Sequence, residues 1–317
     1  MNQTQHAAEV CASPTVRRSR NAVSLSLLAG LCVAGAALAG GPPPPSVYPS
    51  AAHVGGGSTV VIFGTDIGTD IANTTVSIGG VPATIVANAQ HDIEVTVPPR
   101  ARSGAVNVVV NKLGGPILVS DAFLYRHDHQ AGRDFAHTSN PNGPWQIGWA
   151  ASRTSAFNLI TQPPVRSGGG TGCLHVWLRN GNDVPAVGRN RNSTPCSGES
   201  TWVWPAGAIG GHPANDGSNA VIRFVAPATT AYHVYGDFTG SDPQPTTSDG
   251  AVLHNGTEVF SANVGYNVPQ AFDLHLDLNA GDTLDFTIGH GGNGYAYDQT
   301  AMQIHIVGDL LHDDGFE

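Results

Sequence analysis

Short runs of alternating apolar and polar residues recur along most of the chain. Residues 93–97 place Ile, Val and Val on one face of an extended segment, with Glu94 and Thr96 on the other. Residues 271–278 repeat the pattern, since Phe272 and three leucines alternate with Asp and His. A period of two residues predicts β-strands that are buried on one face. The pattern therefore predicts an all-β protein.

The predicted strands form two groups, separated by the polar residues 127–133. The first group comprises residues 59–63, 75–78, 83–86, 93–97, 106–110 and 122–125. The second group comprises residues 174–178, 220–225, 232–238, 251–254, 257–260, 271–278, 283–288 and 301–307. Six short strands predict a small β-sandwich, and eight or more antiparallel strands predict a jelly roll. The segment between them predicts a linker in which His127 and His129 are solvated. A metal site formed by these two histidines, with His137 nearby, is the alternative, but a linker does not hold ligands rigidly.

Several motifs between residues 44 and 126 occur in a fixed order. They are Pro49, VGGG (54–57), TVVIFG (59–64), VSIGGVPA (76–83), IEVTVP (93–98), GAVNVVV (104–110) and AFLY (122–125). Together they resemble the IPT/TIG domain, an immunoglobulin-like module. The resemblance implies an immunoglobulin-like sandwich over residues 47–126. It also implies the role of a spacer or interaction unit, as in other secreted bacterial proteins. Gly79 and Gly80 fit its central hairpin, because a tight turn there needs positive φ.

Several sequence motifs in the second half of the chain resemble those of a jelly-roll module of bacterial exported proteins. They are NPNGPW (140–145), IGW (147–149), VIRFVAP (221–227), YHVYGDF (232–238), LHNG (253–256), LNAGDTLDF (278–286) and NGYAYD (293–298). The module is similar in outline to carbohydrate-binding jelly rolls. The resemblance implies a jelly-roll domain over residues 134–308. The final residues, 309–317, resemble a short terminal tag.

The N-terminus has the features of a secretory signal peptide. Three arginines precede an apolar run, and Ala37-Leu-Ala39 fits a cleavage site. A retained membrane anchor is the alternative, but the run is shorter than the span of about 20 residues that a helix needs. We therefore expect residues 1–39 to be removed and the Pro-rich residues 40–46 to form a stiff leader. The mature chain, without a membrane span, would be secreted, at the cell surface or in the periplasm.

The composition of the chain limits the kinds of partner that the protein is expected to bind. Charged residues make up only 12% of the chain, while 40 Gly and 22 Pro favour short strands and many turns. Cleavage after Ala39 removes three of the 14 basic residues and one of the 24 acidic residues. The formal net charge then changes from −10 to −12. An acidic chain of this kind is not expected to bind nucleic acid or anionic membranes.

Two cysteines remain in the mature chain, Cys173 and Cys196. In an oxidising compartment, a single pair most simply forms one disulfide. A two-cysteine metal site is the alternative, but no clear histidine partner supports it.

Catalytic motifs are missing or misplaced. Residues 289–294 match G-x-G-x-x-G, yet a strand-like segment follows instead of the helix that a dinucleotide site requires. There is no H-E-x-x-H and no G-x-S-x-G. We therefore expect no enzyme activity, no catalytic residue and no cofactor other than a structural calcium ion. Asp237, Asp242 and Asp298 are the candidate calcium ligands, because they follow or precede strand ends.

Aromatic residues supply the candidate ligand site. Trp202 and Trp204 alternate on one strand face, and Tyr295 and Tyr297 lie in a Gly-rich loop before Asp298. Flat rings stack on the apolar faces of sugars, with polar groups alongside for the hydroxyls. The alternative is that both indoles belong to the core.

The sequence thus predicts an exported, non-catalytic binding or adhesion protein with a glycan or a cell-surface protein as partner. A purely structural surface or extracellular protein and a polysaccharide-degrading enzyme are the alternatives. Exposed coplanar tryptophans favour the first hypothesis and fully buried ones favour the second. A cleft with two carboxylates would favour the third.

Overall fold

A computed structural model describes residues 44–167, 172–181, 183–197, 201–244 and 246–308, except the side chains of residues 120, 121, 166 and 167. The predicted signal peptide, residues 40–43 of the leader and the tail 309–317 lie outside the described residues. The regular secondary structure of the described chain consists of β-strands, apart from one short 3-10 helix at Ile71–Asn73. No helix within these residues is long and apolar enough to span a membrane.

Eight strands form the first domain. They are β1 (Ser46–Tyr48), β2 (Ala51–His53), β3 (Thr59–Phe63), β4 (Thr75–Ile78), β5 (Val81–Ala89), β6 (Asp92–Thr96), β7 (Gly104–Lys112) and β8 (Gly115–Arg126). Their spatial order is β1-β3-β6-β5-β4-β7-β8-β2, and only the β2–β8 pair is parallel. The beginning of β5 pairs with β4, and its remainder pairs with β6 after a bulge between Ile85 and Ala87. This strand therefore belongs to both halves of the sandwich.

The turn and core of this domain follow from its sequence. Gly79 and Gly80, between β4 and β5, have φ of 61° and 82°, so the predicted glycine hairpin is confirmed. Alternating aliphatic side chains of β3, β6 and β7 fill the space between the sheets. Tyr125 is buried among them, and its hydroxyl donates a 2.8 Å hydrogen bond to the carbonyl of Pro98. Burial raises the pKa of Tyr125 to about 12.

Sixteen strands of the described chain form the second domain. They are β9 (His129–Gln130), β10 (Trp145–Ala150), β11 (Asn158–Leu159), β12 (Val165–Ser167), β13 (Leu174–Leu178), β14 (Ala186–Asn190), β15 (Cys196–Ser197), β16 (Val203–Trp204), β17 (Ile209–His212), β18 (Asn219–Val225), β19 (Thr230–Gly240), β20 (Ser248–His254), β21 (Thr257–Val264), β22 (Gln270–Leu278), β23 (Thr283–Gly289) and β24 (Thr300–Gly308). One sheet has the order β11-β10-β18-β23-β20-β21, and the other has β12-β13-β14-β17-β24-β19-β22. The predicted antiparallel jelly-roll sandwich is confirmed.

The space between these two sheets is filled with large apolar side chains. Phe224 and Phe286 come from one sheet, and Phe238 and Phe272 come from the other. The Phe272 ring lies 5.7 Å from Phe238 and 5.8 Å from Phe286, whereas the Phe224 ring packs edge-on against Trp145 and Tyr232. On β22 the apolar residues face this core and the acidic residues face solvent, as the alternation predicts.

The segment predicted as a solvated linker is packed into the structure. Residues His129 and Gln130 form β9, which pairs with β24. The His129 ring stacks on His53 of the first domain, with centroids 4.3 Å apart, and only 7% of His129 is exposed. The prediction of solvated histidines here is therefore wrong for His129. Its partners come from distant parts of the chain, so the local polar composition gives no sign of them.

Polar contacts join the two domains over a buried surface. Arg189 of β14 donates a 3.1 Å hydrogen bond to the Thr59 carbonyl, and Arg191 forms a 3.0 Å ion pair with Asp92. The Thr59 amide in turn donates to the carbonyl of Phe135. The described residues of both domains accordingly belong to one compact unit.

Candidate functional site

A short two-stranded ribbon, β15–β16, lies over the outer face of β13 and β14. Cys196 of β15 is bonded to Cys173, with Cα atoms 5.8 Å apart, so the predicted disulfide is confirmed. Cys196 also pairs with Trp204 across the ribbon. The ribbon and the apolar side chains beneath it form a small cluster that includes Leu174 and Val176. The disulfide thus fixes the segment that carries both candidate tryptophans.

Beside the ribbon is an apolar cleft of about 190 Å³. Trp202 and Trp204 line it, with ring centroids 6.4 Å apart and planes inclined at 60°. Trp204 is only 4% exposed, while Trp202 is half-buried. Gly188 forms part of the floor, where a Cβ would lie 3.2 Å from the Trp204 ring. The two indoles share one face as predicted, but they are not coplanar, and Trp204 belongs to the core.

The other tryptophans do not extend this site. Trp145 and Trp177 are buried in the core between the sheets. Trp149 is partly buried and lies under the Arg179 guanidinium, 5.3 Å from the ring centroid. Only Trp202 therefore offers an accessible indole face to the cleft among the described residues.

The loop between β23 and β24 carries the candidate tyrosines. It contains the G-x-G-x-x-G match, and the structure confirms a loop there and not a helix start. Tyr295 and Tyr297 are 37% and 46% exposed. With Asn215, Thr247 and Asn293 they line a second pocket, of about 330 Å³. This size lies within the range of about 300–1,000 Å³ that is usual for small-molecule sites.

His212, at the end of β17, connects the two pockets. It lines the apolar cleft, and its ring meets Tyr295 edge-on with centroids 5.6 Å apart. Burial lowers the pKa of His212, so the ring is neutral at neutral pH. Its Nδ1 lies 2.6 Å from the Pro213 carbonyl, which can only accept, so Nδ1 carries the proton and Nε2 is an acceptor. We call the joined surface of the two pockets the Trp–Tyr cleft.

Two polar atoms of residues that line the Trp–Tyr cleft lack a hydrogen-bond partner within the described chain. They are Nε1 of Trp204, which can only donate, and Oε1 of Gln299, which can only accept. Buried polar groups are normally hydrogen-bonded, and an unpaired one costs free energy. Both atoms are themselves buried, so they belong to the wall beneath the cleft and are not contact points for a ligand.

Buried carboxylates support the cleft from below. Asp242 and Asp298 are fully buried. Asp242 Oδ1 accepts a short hydrogen bond from Thr201, which precedes Trp202. Asp298 Oδ1 accepts a 2.8 Å bond from the Thr247 amide. Burial raises the pKa of Asp298, although the bonds from Thr247 partly oppose the effect. The Asp298 carboxylate thus holds the loop in place instead of facing solvent.

The predicted calcium ligands are only partly brought together. The Thr246 hydroxyl lies within hydrogen-bond distance of the carbonyls of Asp242 and Tyr297, at 3.0 Å and 3.1 Å, and can donate to either, so the segments of Asp242 and Asp298 are adjacent. Asp237 instead lines a separate pocket with Tyr48, and its Oδ1 accepts a 2.7 Å bond from the Thr239 hydroxyl.

Sequence reasoning missed His212, Asn215 and Gln299. His212 ends the unusual run Ile-Gly-Gly-His in front of a proline, which was the available signal. Asn215 and Gln299 have no distinguishing local pattern, because only the pairing of β17 with β24 brings their segments together.

The model of the IPT/TIG domain matches residues 42–125. A comparison with curated proteins finds no match. A structural comparison matches the chain with the secreted serine protease VesC from Vibrio cholerae, at 11% identity and a TM-score of 0.25, over 84% of this chain and 48% of that chain.

Carbohydrate-binding modules are also among the similar structures. A family 35 module from Clostridium thermocellum has 12% identity and a TM-score of 0.23, over 32% of this chain and 78% of that chain. CBM51 from Clostridium perfringens GH95, in complex with methyl-galactose, has 11% identity and a TM-score of 0.28, over 39% of this chain and 88% of that chain. Because these TM-scores are below 0.5, we draw no functional argument from them. Residues 42–125 form an IPT/TIG domain, as the sequence motifs predict.

Proposed function

We propose that this chain is an exported, non-catalytic binding protein that recognises glycan in the Trp–Tyr cleft. The observation that carries the proposal is that the accessible rings of Trp202 and Tyr295 lie in pockets that also contain amide and hydroxyl side chains. The amide side chains of Asn215 and Asn293 both donate and accept hydrogen bonds, so they can bind sugar hydroxyls. The apolar C–H face of the same sugar can stack on Trp202 or on Tyr295.

The composition of the cleft supports binding in preference to hydrolysis. No Asp or Glu is among the described residues that line either pocket. Glycosidases use two carboxylates that face the scissile bond. Asp242 and Asp298 lie close by, but both side chains are fully buried. The cleft thus offers stacking surfaces and neutral polar groups, which are the requirements of a lectin-like site.

The test is a glycan and polysaccharide array with the purified protein, followed by titration calorimetry of the best ligand. We expect Trp202→Ala and Tyr295→Ala to weaken binding by about tenfold or more, the equivalent of about 1.4 kcal/mol for each lost stacking contact. Tyr235→Ala is the matched control. Tyr235 is 36% exposed, close to the 37% of Tyr295, but it stacks on His305 on β24.

Two results would contradict the proposal. One is the absence of binding to every glycan by protein whose circular dichroism shows the folded state. The other is binding that depends on Tyr235 and not on Trp202 or Tyr295. The first result would favour a structural protein with protein partners, and the second would move the site to the outer face of β19.

A further inference from the structure

Two histidines and one glutamate converge where the IPT/TIG domain meets the second domain. Glu94 lies on β6, His175 lies on β13, and His137 lies in the segment that follows β9. Nε2 of His137 is 3.5 Å from Oε2 of Glu94, and Nε2 of His175 is 3.6 Å from the same oxygen. The three donor atoms all lie within 4.8 Å of one another. Glu94 is fully buried, and His175 is only 5% exposed.

The spacing of these atoms fits ligands of one metal ion. Hydrogen bonds from an imidazole nitrogen to a carboxylate are about 2.7–3.2 Å long, shorter than both observed distances. Ligands about 2.0–2.1 Å from a tetrahedral zinc ion are separated from each other by about 3.3 Å. The observed 3.5 Å and 3.6 Å need only a small contraction to reach that separation. We propose that Glu94, His137 and His175 bind a divalent transition metal ion, with zinc as the best fit.

The chemistry of the donors selects the metal. Imidazole nitrogen suits zinc and the neighbouring late transition metals, whereas calcium and magnesium prefer oxygen ligands only. Two histidines and one carboxylate leave a fourth tetrahedral position for water. The site thus differs in metal preference from the all-oxygen site predicted around Asp242 and Asp298.

Arginines beside the cluster orient the carboxylate and set the charge balance. Arg191 forms a short ion pair with Oε1 of Glu94 and a 3.0 Å pair with Asp92. Because Oε1 is held in this way, Oε2 is directed towards the histidines. Arg189 adds a second positive charge, and its burial lowers its pKa to about 10. Asp92 and Glu94 offset the two arginine charges, which would otherwise oppose a cation.

A second group of potential ligands lies on the surface and serves as a comparison. It consists of His233, Asp273 and His275. His233 lies 2.8 Å from Asp273, as expected of an ordinary hydrogen bond, while His275 is 4.0 Å from the same oxygen. The side chains of Asp273 and His275 are 73% and 80% exposed. Flexible and solvated groups of this kind lack the preorganisation of the buried cluster.

Metal binding at the buried cluster would stabilise the contact between the domains. Glu94 belongs to one domain and His175 to the other, so the complete ligand set exists only when the domains are docked. A ligand that binds only this state raises its stability by mass action.

The test uses the full, untagged protein after chelator treatment. Zinc chloride is titrated by calorimetry, and thermal unfolding is followed with zinc, with calcium and with neither. We expect one zinc ion per chain and a rise in Tm of about 5 °C with zinc in excess. Cobalt(II) is the spectroscopic probe, because a tetrahedral site gives it intense visible absorption. This readout needs no variant, so it holds even if a substitution disturbs the fold.

Variants locate the site. His137→Ala is the most informative, because its side chain is 13% exposed and therefore the least buried of the three. It should weaken zinc binding by at least tenfold and abolish the cobalt spectrum. His275→Ala, in the surface group, should change neither. The proposal is overturned if the wild-type chain binds no zinc, if His137→Ala binds it unchanged, or if His275→Ala loses it.

Discussion

At the scale of single residues, burial of histidine makes stability depend on pH. His129 stacks on His53 and contacts the Phe224 ring at an angle of 60°, and desolvation lowers its pKa from 6.5 to about 4. Between these values the unfolded chain binds more protons than the folded one, so stability is complete above pH 6.5 and is lost as the pH falls towards 4. The loss is at most about 3 kcal/mol.

Urea unfolding at pH 7 and pH 5 measures this effect. His129→Leu should reduce the difference in unfolding free energy between the two pH values. The matched substitution His275→Leu, at a side chain that is 80% exposed, should leave the difference unchanged. An equal pH dependence in His129→Leu and the wild type would show that other groups are responsible.

Substitution of Asp298 tests, at the scale of a single residue, whether the protein binds calcium. Oδ2 of Asp242 and of Asp298 is buried without a hydrogen-bond partner in the described chain, and calcium takes oxygen ligands of this kind. We expect millimolar calcium to raise Tm by about 5 °C in the wild type and not in Asp298→Asn. Asp237→Asn should keep the rise, because Asp237 lines a different pocket. Loss of the rise in Asp237→Asn alone would place the ion elsewhere.

At the scale of elements, the β15–β16 ribbon depends on one disulfide. The bond closes a loop with a sequence separation of 23 residues and joins the ribbon to β13. Replacing both Cys173 and Cys196 with Ala should lower the unfolding free energy by about 3 kcal/mol. It should also release Trp204 from its buried position, so tryptophan emission should shift to longer wavelength. Reductant should reproduce both changes in the wild type and add nothing to the variant.

The strands also show how much of the fold could be predicted from the sequence. Period-two alternation located strands such as β6 and β22 to within a residue or two, and the two glycines located the hairpin between β4 and β5. Period-two alternation could not locate β9, because a strand of only two residues, His129 and Gln130, is too short to show a periodic pattern. Their strand exists only through pairing with β24.

The candidate cleft was predictable only in part, for a related reason. Trp202, Trp204, Tyr295 and Tyr297 stand out by residue type. The structure places the two tryptophans in one pocket and the two tyrosines in another, with His212 of the first pocket in contact with Tyr295 of the second. Burial does not follow from residue type, so the sequence left open that Trp204 is core and that Asp298 faces inwards. The sequence did not predict that His137 joins Glu94 and His175 in a buried cluster, since the three residues are about 40 positions apart along the chain.

At the scale of the whole molecule, the interface between the domains determines cooperativity. Arg191, only 5% exposed, is paired with Asp92 and Glu94 of the IPT/TIG domain. Removing one partner of a buried ion pair leaves uncompensated charge and costs about 3–5 kcal/mol. Arg126→Ala is the control, because its side chain is 52% exposed and lies 4.0 Å from Asp128. A surface pair of this kind contributes about 0–1 kcal/mol.

Differential scanning calorimetry of the metal-free protein tests this coupling. The wild type should unfold in one transition, since the two domains share buried polar contacts and cannot separate without exposing them. Arg191→Ala should lower Tm and resolve two transitions, because the weakened interface no longer unfolds together with both cores. Arg126→Ala should unfold as the wild type does. Two independent transitions in the wild type would mean that the buried arginines orient the domains without coupling their stability.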